Sequence, residues 1–183
     1  MIEVEIKAYV EEGVDDRIIQ DKIEKEAEFV RKEIQIDRYF NAPHRDLSLT
    51  DEALRIRKYE NEDLSILTYK GPKIDPLSKT RVEYETVIGD PEKMEIILEK
   101  LGFNHVFTIM KERKIYKINN FWINYDNVHE LGRFLEIETK VSKEEDLEKA
   151  RNEIIKIFKK FGIDESSFER KSYLELFFEK LKN

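Results

Sequence analysis

Five stretches of the chain carry like charges two residues apart: Glu3 and Glu5, Arg55 and Arg57, Glu83 and Glu85, Lys111 and Arg113, and Glu136 and Glu138. In an extended strand, residues i and i+2 point to the same face, so each pair would set two equal charges side by side. Apolar residues fill the intervening positions, as with Val4 and Ile6, Leu54 and Ile56, and Leu135 and Ile137. Lys7, Lys70 and Arg81 extend the cationic set, and Asp126 extends the acidic one. Two chemistries follow from these residue types. Guanidinium forks and ammonium point charges grip phosphate oxygens. Clustered carboxylates hold Mg2+ or Mn2+, hard cations that take oxygen ligands and bridge to phosphate. A polyphosphate carrying a divalent metal would use both at once.

The elements that must position these pairs can be read from periodicity. An opening strand alternates through Ile2, Val4, Ile6 and Ala8. A helix is predicted from about Asp15 to Glu28, with Ile18, Ile19, Ile23 and Ala27 on one face. Strands are predicted at Ile36–Asn41, Ala53–Tyr59, Ser65–Lys70 and Val82–Ile88, separated by turn-forming residues such as Asn41-Ala42-Pro43 and Gly71-Pro72. Asp90 and Pro91 open a second helix that Gly102 ends. Three more strands follow at Phe107–Ile118, Phe121–Tyr125 and Arg133–Val141, with Asn119-Asn120 as a tight turn. Ser142-x-x-Glu145 reads as a capping box opening a helix to Phe161, and a last helix spans about Glu169–Leu181. No Pro/Gly/Ser-rich linker interrupts the series, so one α+β domain over residues 1–183 is expected.

Two arrangements accommodate the charged strand faces. An antiparallel sheet with one solvated face would make them ordinary surface charges. Solvated faces, however, usually interleave signs, because like charges side by side are unfavourable. The helices are also amphipathic and need an apolar sheet face to cover. A closed eight-stranded barrel with helices outside and charges inside meets both conditions. Periodicity alone leaves the two open.

Composition bounds the function. The 183 residues are 40% apolar and 40% charged, with 33 basic and 40 acidic side chains. Enough apolar material is present for a core, and the excess of charge also suits the surface ion-pair networks of heat-adapted proteins. A net charge of −7 argues against non-specific duplex binding, which needs a basic face. The absence of cysteine removes disulfides, thiol catalysis and zinc–thiolate sites. No apolar run is long enough to span a bilayer, and no signal-peptide core opens the chain, so a cytoplasmic location without membrane contact is expected. His44, His105 and His129 share no ligand spacing, Trp122 is expected to pack on the outer face, and Lys159-Lys160 to lie on a solvated helix face.

Glu3-x-Glu5-x-Lys7 resembles the N-terminal signature of the CYTH, or triphosphate tunnel metalloenzyme, superfamily. That group includes class IV adenylyl cyclases, thiamine triphosphatases, inorganic tripolyphosphatases and fungal RNA 5′-triphosphatases. Further motifs follow in the family's order: Asp37-x-Tyr39-Phe40, Ala53-Leu54-Arg55-Ile56-Arg57, Lys70-Gly71-Pro72, Arg81-x-Glu83-x-Glu85, Lys111-x-Arg113, Asp126, Gly132 and Glu136-x-Glu138. The segments Leu101-Gly102-Phe103, Asp126-x-x-x-x-Leu131-Gly132-x-Phe134 and Ser172-Tyr173-x-x-Leu176 look like the class IV adenylyl cyclase branch.

The resemblance implies a closed antiparallel barrel forming a tunnel, with helices outside. It implies Mg2+ or Mn2+ held by Glu3, Glu5, Glu136 and Glu138, with Asp126 as a further acid near the metal. It implies triphosphate held by Lys7, Arg55, Arg57, Lys70, Lys111 and Arg113, and Arg81 joins this set through its place on a charged strand. Lys70 and Tyr39 match a Lys–Tyr pair that readies the attacking water in the thiamine triphosphatase branch. Glu83 and Glu85 are open between metal ligands and structural partners. ATP cyclised to cyclic AMP and pyrophosphate is the first expectation. The alternative is a triphosphatase acting on tripolyphosphate, thiamine triphosphate or nucleoside triphosphates. A non-catalytic module that binds polyphosphate or nucleotide stands behind both, and relatives suggest a homodimer.

Overall fold

Val4, Ile6, Ala8 and Val10 form the apolar face of β1 (Ile2–Val10), and two helices bury that face. The computed structural model describes residues 2–10, 16–60, 62–74 and 79–182. The other strands are β2 (Glu28–Asn41), β3 (Ala53–Tyr59), β4 (Glu62–Lys73), β5 (Arg81–Ile88), β6 (Asn104–Ile118), β7 (Phe121–Val128) and β8 (Gly132–Val141). The helices are α1 (Asp16–Glu26), α2 (Pro91–Lys100), α3 (Leu147–Phe161) and α4 (Tyr173–Lys180).

The eight strands close into an antiparallel barrel in the order β1-β5-β4-β3-β2-β6-β7-β8. The solvated-sheet alternative is thereby excluded, and the predicted fold class holds. Closure is uneven along β1. Its ladder with β8 runs from Ile2↔Val141 to Val10↔Arg133, whereas its pairing with β5 consists of Ile2↔Val82 and Glu3↔Arg81.

Helices cover one side of the barrel's outer surface. Ile154, Phe158 and Phe161 of α3 and Ile19 and Ile23 of α1 pack on β1, on Ile123 and Tyr125 of β7, and on Leu135 and Ile137 of β8. The spacing of α3's buried residues (150, 154, 157, 158, 161) is the stripe a 3.6-residue repeat produces. Truncating Phe158 to alanine in such a core costs about 3–5 kcal/mol. Gly162 ends α3 in the left-handed conformation (φ 80°), a backbone shape that glycine adopts without strain. On the other side, Phe40, Ile56 and Leu98 fix α2 against β2 and β3. On the outer face of β5, Tyr84 is 68% exposed, whereas Ile88 is buried in the cluster with α2.

Four local expectations change. The first helix ends at Glu26, and its expected first residue, Asp15, lies outside the described residues. The run Phe29–Gln35 extends β2, because the ladder from Glu28↔Lys117 to Asn41↔Asn104 gives its backbone partners on β6. Ser142-x-x-Glu145 does not cap a helix: a 3-10 turn at Glu144–Asp146 precedes α3, and Asp146 makes no side-chain cap. The capping box lies at Ser172 and Glu175, so the last helix starts at Tyr173 rather than near Glu169.

Candidate active site

Each charged pair on β1, β3, β5, β6 and β8 turns inward, away from α1, α2 and α3. Together the pairs line a cavity of about 250 Å³ inside the barrel. Eleven of the expected site residues line it: Glu3, Glu5, Tyr39, Arg55, Arg57, Lys70, Arg81, Lys111, Arg113, Glu136 and Glu138. Lys7 and Asp126 are set behind its wall.

The β1–β8 wall gathers acids. The register puts Glu5 opposite Glu138 and Glu3 opposite Lys140. One carboxylate oxygen from each of Glu3, Glu5 and Glu138 lies within 4.8 Å of the others. Burial, then the neighbouring Glu138 and Glu83, pushes the Glu3 carboxyl up to about 8. Burial raises Glu138 to about 7 against the lowering influence of Arg113, and Glu5 and Glu136 add to the rise. Burial, incompletely offset by nearby cations, thus favours the protonated form of two of the three acids. A divalent ion supplies further positive charge, and three carboxylate oxygens are the donor set Mg2+ and Mn2+ prefer. The residues fit such an ion.

Glu136 and Asp126 stand apart from this group. Glu136 accepts from Arg113 and, at 3.2 Å, from Lys79. Burial opposes its charge, but Lys79 and Arg113 hold its carboxyl well below the usual range. Asp126 is fully buried and accepts from Arg113 Nε at 2.6 Å, Lys111 Nζ at 3.0 Å and the Tyr173 hydroxyl at 2.8 Å. The structure thus places Asp126 among cations, where the resemblance had it near the metal.

The cations fall into three environments. Asp37 accepts two hydrogen bonds from Arg57, both at 2.7 Å, and one from Arg55 at 3.4 Å. Arg55 also donates to Thr68, and its buried Nε has no hydrogen-bond partner among the described residues. Despite burial, Arg57 and Arg55 keep Asp37 well below the ordinary carboxylate range. Lysines form the second environment. Burial and then Arg113 lower Lys111 to about 8, while burial and then Lys79 lower Lys7 to about 7. The Lys7 ammonium lies 4.1 Å from the centre of the Tyr173 ring and donates to the Lys171 carbonyl. Arg81 makes up the third. It donates to the Gly71 and Asp51 carbonyls at 3.1 and 3.3 Å, tying the strand ends together.

Lys70 and Tyr39 line the same cavity, but the Lys70 ammonium is taken by Glu83 at 2.5 Å. Tyr39 packs with Ile109, Phe134 and Tyr173. Glu85 accepts from Thr68 at 3.1 Å and lies 3.8 Å from Arg55, so Glu83 and Glu85 serve as ion-pair partners here. One expectation is corrected outright. Trp122 pairs with Glu138 across β7 and β8 and therefore shares the inner face, at the barrel's rim, with Lys117 4.9 Å over its ring.

Three contributors went unassigned in the sequence. Asp37 organises two arginines, and Tyr173 ties α4 to Asp126 and to the lysines. Lys79 bridges Glu5 and Glu136. Lys79 could have been found, because it continues the alternation Arg81-x-Glu83-x-Glu85 one step back.

Comparison with known proteins adds four findings. A family model described as the CYTH domain matches residues 1–173. A Methanocaldococcus jannaschii protein named "Putative adenylate cyclase MJ0240" is 43% identical over 176 residues, covering 96% of this chain and 98% of its own. Among solved structures, the PH1819 protein from Pyrococcus horikoshii is 43% identical with a TM-score of 0.89, covering 97% of this chain and 99% of that one. A Hippeastrum barrel, HpAC1, shares the fold at 20% identity and a TM-score of 0.67, covering 98% and 95% of the two chains. It is described as an adenylyl cyclase-like protein with a dominant triphosphatase activity.

Proposed function

The chain belongs to the CYTH domain family, and on that premise we propose that it is a divalent-metal-dependent enzyme that converts ATP into cyclic AMP and pyrophosphate. One observation carries the reading. Three clustered carboxylates, two of them under-neutralised, and a set of buried cations line one cavity, so a metal-bound triphosphate satisfies both at once.

Glu3, Glu5 and Glu138 would hold the metal, with Glu136 beside them. Bound there, Mg2+ or Mn2+ would neutralise charge on the phosphates as it builds toward the transition state. The protein's own groups do the rest. Asp37 fixes Arg57 and Arg55, and Asp126 fixes Arg113, so these guanidinium groups meet phosphate oxygens with little reorganisation. Lys111 gains from the anion what burial takes from it. Cyclisation then requires the ribose 3′-hydroxyl to lie in line with the pyrophosphate leaving group at the α-phosphorus.

Hydrolysis is the second reading, supported by the triphosphatase activity described for the Hippeastrum barrel. There water attacks the γ-phosphorus. Lys70, whose ammonium pairs with Glu83 at 2.5 Å, would face the phosphate as a point charge. Product analysis separates the two. ATP and tripolyphosphate are incubated in parallel with Mg2+ or Mn2+, and the products are resolved by chromatography. Cyclic AMP and pyrophosphate are expected. ADP with phosphate, or faster cleavage of tripolyphosphate, would replace the cyclase reading with the hydrolase. No turnover of either would leave a binding module.

A further inference from the structure

Lys79 reaches into the acid wall from the residues just before β5. Its backbone N–H donates to the Glu5 carbonyl at 2.9 Å, so its main chain is pinned beside β1. Its ammonium lies 2.5 Å from one Glu5 oxygen and 3.2 Å from one Glu136 oxygen. Tyr173 faces it from α4, with the ring centre 5.8 Å from Nζ. A cation on a flexible four-carbon stem thus sits on two acids that the proposed reading assigns to the metal's surroundings. One of them, Glu5, also belongs to the close trio with Glu3 and Glu138.

We propose that Lys79 is a resident cation that holds the acid wall in the empty barrel, leaves it when a divalent metal binds, and then pairs with the triphosphate. This inference rests on the metal–triphosphate reading and assigns that site a coupling device. A metal arriving alone takes Glu5 from the ammonium and leaves it buried with Glu136 as its remaining acid, which is costly. With triphosphate present, the displaced ammonium finds phosphate oxygens. Each ligand therefore raises the other's affinity, and linkage makes the effect reciprocal.

The test reads binding rather than turnover. Free Mn2+ is followed by electron paramagnetic resonance while wild type, Lys79→Gln, Lys79→Arg and Lys70→Gln are titrated, each with and without tripolyphosphate. Lys79→Gln should bind Mn2+ alone about 10-fold or more tightly than wild type, within the usual range of site–site coupling. Its further gain on adding tripolyphosphate should shrink by a similar factor. Lys79→Arg keeps the acids partnered, and thus the fold, while gripping them more firmly, so it should bind Mn2+ alone more weakly than wild type. Lys70→Gln, which removes a charge paired with Glu83, should change Mn2+ affinity less than Lys79→Gln.

An equal gain in Lys70→Gln and Lys79→Gln would reduce the effect to net charge and overturn the proposal. So would unchanged Mn2+ affinity in both Lys79 variants while wild type still binds metal and tripolyphosphate together. If no variant and no wild type takes up Mn2+ even with tripolyphosphate, the underlying metal reading falls, and the coupling with it.

Discussion

The acid wall on β1 and β8 and the arginine side on β2, β3, β6 and β7 carry similar numbers of charges, yet they are finished to different degrees. On the arginine side each acid meets its cations: Asp37 holds Arg57 and Arg55, while Asp126 holds Arg113 and Lys111. On the acid wall, Glu3 has Lys140 at 3.9 Å, and both Glu3 and Glu138 keep protons near neutrality. The arginine side is therefore a prebuilt receptor whose guanidinium groups are oriented before any ligand arrives. The acid wall is paired at Glu5 and Glu136 through Lys79, but Glu3 and Glu138 still lack charge that an incoming cation would supply. Preorganisation and frustration share one cavity, and each predicts a different response to mutation.

The largest expected difference is in stability. Asp37→Asn leaves two buried arginines without their acid and should cost about 3–5 kcal/mol in urea unfolding of the empty protein. Glu3→Gln removes a charge that burial already disfavours, so it should be neutral or stabilising under the same conditions. Equal losses in the two variants would erase the distinction between the walls.

Turnover should reverse that ranking on the acid wall. Glu5→Gln and Glu138→Gln should lower product formation about 10²–10³-fold at saturating Mn2+, the usual cost of removing one electrostatic contributor in a catalytic site. Wild-type rates in both would sink the metal assignment.

A pH series sharpens the comparison further. Glu3 and Glu138 stand at about 8 and about 7 when folded, against 4.5 unfolded. Across that interval the folded protein binds more protons than the unfolded chain, so their contribution to stability falls as pH rises. Lys7, at about 7 against 10.5, has the opposite sign in the next interval, where stability is recovered as pH rises. The Tm of the empty protein should fall between about pH 5 and about pH 7. Mg2+ should raise it more at about pH 8 than at about pH 5.5, because fewer protons then compete for the acids. A metal-induced shift independent of pH would contradict this.

The smallest effect belongs to Tyr173→Phe. Loss of its hydroxyl bond to the charged Asp126 should cost about 1.5–3 kcal/mol. The ring stays in place beneath Lys7 and Lys111, so metal-free binding of tripolyphosphate should change little in calorimetry. A large loss of affinity would give the hydroxyl a role at the ligand.

Much of the barrel was legible because a strand's period of two leaves an unmistakable trace when charge alternates with Val, Ile and Leu. The ends of elements were less legible. Ser142-x-x-Glu145 and Ser172-x-x-Glu175 are the same local motif. Only the second is followed at once by apolar residues, Tyr173 and Leu174, that pack against Phe134 and its neighbours. The charged run Phe29–Gln35 hid half of β2, since its strand state depends on β6 far along the chain. Pairing was the hardest part to see. Alternation puts Asp126 and Glu136 on the inner face without telling whether a carboxylate there meets a metal or an arginine. Lys79 and Asp37 carry no local sign of the partners that tertiary structure gives them.

The ladder between β1 and β8 has a consequence for how the protein is made. It sets residue 5 against residue 138, so the carboxylates that would hold a metal stay strangers through most of synthesis. The arginine pair on β3 emerges earlier and can meet Asp37 first, so part of the anion-gripping half can take shape while the acid half is still a single strand. Pairings this distant in sequence close slowly, since the loop entropy must be overcome before the contacts repay it. The site would therefore appear late and all at once, and a growing chain would present no half-built metal centre to the cell.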